Sequence, residues 1–208
     1  MSVKKFGFGI AIVLLVGMLK ANAAEYKVDM SSSELLFKVR HMGINTITGR
    51  FDNFDATFDV DPQHIENTKG SATIDVKSIN TNNPRRDGHL ASDDFFNTEK
   101  FPKIKFVSKS VKNVNMADST CDLIGDLTIR DVTKEITLKI KGGGILRDHG
   151  RERAAFTAKG VINRFDFNLK WNKMVEMGGL VVGPDVQLEL SFEGVRSLDD
   201  NSRENPKK

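Results

Sequence analysis

The chain holds one cysteine, one tryptophan, one tyrosine and five prolines in 208 residues. A lone Cys121 excludes an intramolecular disulfide, so it is either buried or free, and stability must come from an ordinary core. Histidine is scarce too. His41, His64, His89 and His149 show no ligand spacing such as H-x-x-x-H, and Cys121 has no Cys or His beside it. No G-x-S-x-G nucleophile motif occurs, and Gly142-Gly143-Gly144 is not followed by phosphate-loop residues. The residues therefore assign no metal, no cofactor and no catalytic group.

Long apolar runs are absent after the first 23 residues, so no later segment reads as a membrane-spanning helix. Residues 1–23 read as a secretory signal peptide. Lys4 and Lys5 give a basic start, Phe6–Leu19 is apolar, and Ala21-Asn22-Ala23 has a small-x-small cleavage pattern. Cleavage would leave a mature chain starting at Ala24, exported and, in a Gram-negative bacterium, periplasmic. It would also remove Lys4, Lys5 and Lys20 and no acids, taking the formal charge from +3 to zero. Most of the case for nucleic acid or an anionic membrane as the main partner goes with those lysines.

What the mature chain does have is alternation. Leu35, Phe37 and Val39 alternate with Leu36, Lys38 and Arg40, and Phe54, Ala56, Phe58 and Val60 with Asp55, Thr57 and Asp59. Ile136, Leu138 and Ile140 alternate with Thr137, Lys139 and Lys141, and Val186, Leu188, Leu190 and Phe192 form a last clean strand. Gly142–Gly144 is expected to break a strand, Arg147–Arg153 to form a charged loop, and Trp171–Val182 to be a loop, short helix or flap. Residues 198–208 read as a polar tail. The charged faces must meet water, because a strand crossing an outer membrane shows lipid an uncharged face. The apolar faces then point inward, and a small closed barrel of this kind can hold one ligand.

One stretch interrupts the strands. Thr81–Phe106 sets Arg85, Arg86, Asp87 and His89 beside Leu90, Phe95, Phe96, Phe101 and Phe106. Asn83-Pro84 reads as a helix start, with Asp87 near its first turn, and Phe101-Pro102 forces extended geometry before the next strand. A short helical segment near 83–92 results, covering a barrel end. Arg86 and His89 lie three apart and share a helix face. Either they meet a polar head group at a tunnel mouth, or they hold the plug down through acids and backbone.

Thr81, Arg86-Asp87-x-His89-Leu90, Ser92, Asp94-Phe95-Phe96, Phe101-Pro102 and Ile104-x-Phe106 resemble the central signature of the YceI-like family. Further matches are Val39-x-His41-Met42, Gly49-x-Phe51-x-x-Phe54, Gly125-x-Leu127-Thr128-Ile129-Arg130 and Asn163-Arg164-x-Asp166-Phe167, with Asp131 and Asn168 where that family has Gly. The resemblance implies an all-β, lipocalin-like, extended antiparallel barrel of about eight strands over residues 24–197. It also implies an isoprenoid, quinone or fatty-chain lipid as ligand. Composition adds 14 Phe, of which Phe6 and Phe8 fall in the signal segment. Buried Phe needs no hydrogen-bond partner and suits a tunnel or a plain core alike.

The expected function is thus an exported, soluble, non-enzymatic lipid holder, monomeric or homodimeric, without stable membrane insertion and without nucleic acid. Its expected ligand contacts are Phe37, Val39, Phe54, Phe58, Arg86, His89, Leu90, Phe95, Phe96, Phe106, Leu138 and Phe192. Two alternatives stand beside it: an enzyme acting on a lipid or quinone head group with His89 or His41 as base, and a scavenger of amphiphiles without a dedicated ligand.

Overall fold

The computed structural model describes residues 24–174 and 180–198; the expected signal segment and most of the expected tail lie outside them. Eleven strands form one antiparallel sheet: β1 Ala24–Val28, β2 Glu34–His41, β3 Asn45–Phe51, β4 Phe54–Val60, β5 Lys69–Asp75, β6 Ile79–Asn80, β7 Lys103–Asn115, β8 Thr120–Ile129, β9 Val132–Asp148, β10 Arg151–Asn163 and β11 Val182–Ser197. The ring β1-β4-β5-β7-β8-β9-β10-β11 closes where Val28 and Lys27 pair with Gly194 and Val195, making an eight-stranded barrel. The rest of the β11 edge is taken by β2, which carries β3 and β6 with it. The fold is the expected barrel.

Alternation decides the two faces. Tyr26, Phe58, Phe192, Ala154, Ala158 and Leu138 are buried inside. The outer face carries cross-strand ion pairs, Lys38 with Glu189 at 2.6 Å, Lys139 with Asp122 at 2.8 Å and Lys109 with Glu135 at 2.8 Å. Exposed pairs of this kind contribute little stability, but they mark a face turned to water.

The helix α1, Pro84–Ala91, forms where its caps dictate. The Asn83 side chain accepts from the Arg86 amide at 3.1 Å, Pro84 opens the first turn, and Ser92 ends the helix, its amide and hydroxyl both bonding the His89 carbonyl.

Two local expectations change. Gly142–Gly144 does not end its strand, because β9 runs on to Asp148. Ala155 pairs with Gly144 and Phe156 with Gly142, so Gly143 is the extra residue of a bulge and Gly144 takes φ +111°. Arg147–Arg153 is a hairpin end with a two-residue turn, His149 and Gly150, both at positive φ. At the β8–β9 turn, where Asp131 holds the family's Gly position, the left-handed residue is its neighbour Arg130, at φ 56°. Asn168 does take the left-handed position, at φ 60°.

Candidate functional site

The inward faces do not meet in the middle. They enclose an apolar cavity of about 450 Å³. Its wall follows β8 from Thr120 to Ile129, a run of roughly 30 Å at about 3.3 Å per residue before strand tilt is allowed for. At one end the lining residues are shut away: Phe95 is 5% exposed and Arg164 3%, with Leu169 buried beside them. At the other end the lining residues reach solvent, with Met116 65% and Ile145 43% exposed. The cavity is therefore a blind tunnel. It opens among the β7–β8 turn, the end of β9 and the loop of residues 61–68, and its floor lies under α1.

Of the residues read from sequence, Phe37, Val39, Phe58, Leu90, Phe95, Phe96, Phe106, Leu138 and Phe192 line this cavity. Phe54, Arg86 and His89 do not. Phe54 is buried and packs its ring 5.5 Å from that of Phe192, filling space behind the wall. Arg86 turns back on the chain. Its Nε donates to Thr81 Oγ1 and its Nη2 to the Thr81 carbonyl, both at 2.7 Å, while Asp87 accepts from the Thr81 amide and hydroxyl. Thr81 is buried, so this cluster fastens the helix to the end of β6. His89 Nε2 meets Asp94 Oδ2 at 2.8 Å, and its ring stands edge-on to Phe95 and Trp171. Of the two placements left open, the structure has the helix over the closed end of the tunnel and not at its mouth. Neither His41 nor His89 reaches the cavity wall.

Among the described residues no cluster of His, Cys, Asp or Glu fits a metal, and no helix is long and apolar enough to cross a membrane. Cys121 is a free, half-buried thiol on the wall, its pKa raised by burial and by the neighbouring Asp122 charge.

Residues 26–194 match the family model of the YceI-like domain. The chain belongs to that family. A UPF0312 protein of Staphylococcus aureus is 36% identical to this YceI-like chain over 170 residues, 81% of this chain and 95% of that one. The Campylobacter jejuni YCEI protein is 31% identical, with a TM-score of 0.66 over 77% of this chain and 91% of that one. Burkholderia cenocepacia BcnA, 21% identical, shares the fold at a TM-score of 0.67, covering 80% and 98%. A polyisoprenoid binding domain from Saccharophagus degradans, 17% identical, shares it at 0.57, covering 81% and 97%.

Two polar centres of this YceI-like barrel escaped the sequence reading. Towards the mouth, Glu152 is buried inside the barrel and accepts from the Tyr26 hydroxyl, from Arg147 Nε at 2.5 Å and from Arg196 Nη2 at 2.6 Å. Burial alone would raise its carboxyl, but these three donors outweigh it and hold it below the usual glutamate value. The Tyr26 hydroxyl is pushed up to about 12, by burial first and then by its bond to Glu152. At the floor, the Arg164 guanidinium donates to the carbonyls of Leu169, Trp171, Val182 and Gly183 at 2.6–3.0 Å, and burial pulls its pKa down. Glu152 was lost because Arg147–Arg153 read as a loop. Continuing the Ala154, Phe156, Ala158 alternation backwards puts it on the inner face. Nothing in the spacing of Arg164 signals its carbonyl cage.

Proposed function

We propose that this protein is an exported, soluble carrier that holds one isoprenoid, quinone-type or other long-chain lipid in its barrel, for storage, transport or sequestration. It is proposed to act by binding and not as an enzyme. The observation that carries the proposal is the blind apolar tunnel of about 450 Å³, within the range of about 300–1,000 Å³ common to small-molecule sites. A chain entering it would lie against Phe37, Val39, Phe58, Phe96, Phe106, Leu138 and Phe192, with Leu90 and Phe95 at the floor. Each buried methylene would gain roughly 0.8 kcal/mol before ordering costs, so such a ligand needs no polar anchor. The Saccharophagus degradans domain, described as polyisoprenoid binding, points the same way through its shared fold. Residues 1–23 are proposed as the cleaved signal, 24–197 as the barrel and 198–208 as a tail.

Mass spectrometry of an organic extract of the exported protein is the test. A long-chain lipid near one per barrel is expected, together with an intact mass that begins at Ala24. An empty barrel that also refuses a polyprenol or a long-chain quinone would overturn the reading.

A further inference from the structure

We propose that the open end of the barrel docks on the surface of a lipid bilayer, so that cargo passes between membrane and tunnel without crossing water. This rests on the lipid-holding reading above and adds to it the partner and the surface used.

The rim of the opening is apolar where a protein surface ordinarily is not. Val114 at the end of β7, Met116 on the β7–β8 turn and Ile145 near the end of β9 are exposed while lining the cavity, and Leu146, pointing outward beside Ile145, is 64% exposed. The turn and the strand are joined, the Gly142 amide bonding the Ser119 carbonyl at 2.8 Å. The patch is thus continuous with the tunnel wall, and a chain leaving the tunnel must pass over it. In water that passage would expose the chain one methylene at a time, each at a cost in free energy. Seated in lipid, the same rim removes that barrier.

Charge around the rim suits a surface carrying phosphates. Lys112 and Lys141 are exposed on the neighbouring strands and form no ion pair among the described residues. The acids at this end are engaged locally: Asp61 accepts from loop amides, Glu66 faces His64, Asp118 accepts from Asn115, and Asp148 at the β9–β10 tip faces His149. Asp59 on β4 stands directly opposite Lys69 on β5, with Glu25 on β1 at its other side, so that corner of the rim is balanced in charge. Since the net charge of the mature chain is near zero, attraction must be local, through these lysines. The opposite end offers a comparison, because Ile44 at the β2–β3 tip is 84% exposed but borders no opening.

The experiment is flotation of the purified exported protein with vesicles of phosphatidylcholine, with and without phosphatidylglycerol, with bound lipid measured by extraction from the same preparations. Leu146→Asp and the pair Lys112→Glu with Lys141→Glu alter the rim without touching the tunnel wall. Wild type should float, more strongly with phosphatidylglycerol. Leu146→Asp should lower the bound fraction about tenfold, the lysine pair should abolish the phosphatidylglycerol effect, and Ile44→Asp should change nothing. Cargo content should be unchanged in all four proteins. No flotation of wild type, or equal loss in Ile44→Asp and Leu146→Asp, would overturn the docking proposal while leaving the cargo result to judge the carrier reading. A wild-type dimer that Leu146→Asp splits would assign the rim to a second copy and overturn it equally.

Discussion

Tyr26 and Glu152, separated by 126 residues in sequence, share a hydrogen bond inside the barrel. Tyr26 lies on β1 and Glu152 on β10, the two strands that flank β11 where the ring closes. Arg196 on β11 completes the junction, lying over the Tyr26 ring at 5.1 Å and pairing with Glu152. The seam of the barrel is therefore closed by two short backbone pairings and one buried polar network.

That network makes stability depend on acid. The Glu152 carboxyl is held below its ordinary value of 4.5, so its contribution is fully present above pH 4.5 and lost as pH falls through the folded value. Glu152→Gln leaves Arg196 without its carboxylate. It should cost roughly 3 kcal/mol near neutral pH, the low end of the usual cost for one partner of a buried pair, since Arg147 is largely exposed. Denaturant unfolding measured from neutral pH downward should show the gap between wild type and variant closing below pH 4.5. Both curves should fall there, because other paired carboxylates, Asp122 and Glu189 among them, are also held below their ordinary values.

The alkaline side has its own signature. With its pKa raised from 10.0 to about 12, Tyr26 contributes stability that is whole below pH 10.0 and declines as pH climbs towards 12. Tyr26→Phe should remove this decline, read as the difference between the two proteins' melting temperatures across that interval. Parallel curves would show that the hydroxyl does not titrate as described.

Gly125 sits where a side chain has no room. A Cβ there would lie 2.5 Å from the tip of the Phe106 ring and 2.6 Å from the Val107 carbonyl. The ring can swing into the tunnel, but the strand backbone cannot yield. Gly125→Ala should therefore lose about 1–3 kcal/mol and shrink the tunnel, seen as a lower melting temperature with less retained lipid.

Arg86→Ala tests the helix fastening. Removing the guanidinium strands the buried Thr81 carbonyl and leaves the Thr81 hydroxyl only its bond to Asp87, at a cost of about 1–3 kcal/mol. Binding of a quinone-headed lipid and of a head-less hydrocarbon should fall together, because Arg86 does not line the cavity. Selective loss of the headed ligand would restore the head-group role.

Filling the tunnel should separate cargo from fold. Ile136 lines the cavity and is half-buried, so Ile136→Trp has space to enter. The variant should stay folded by circular dichroism while its extract loses the long-chain lipid.

The sequence by itself determined the barrel. Period-two alternation settles which side chains point inward in Leu35–Val39, Phe54–Val60, Ile136–Ile140 and Val186–Phe192, since one face of a strand follows from parity alone. It determined the helix as well, because Asn83, Pro84 and Ser92 act on backbone groups within a few residues of themselves. It also supplied most of the tunnel wall, for the same reason that it supplied the inward faces. Only the tertiary structure decided which end is open. That depends on how far the β7–β8 and β9–β10 hairpins stand clear of the loops around them, a relation among distant segments. Whether Arg86 faces ligand or Thr81 turned likewise on where α1 comes to rest, and whether Phe54 fills core or lines tunnel turned on its packing against Phe192 of β11. Both choices satisfy the same local pattern, and only packing against strands far off in the chain distinguishes them.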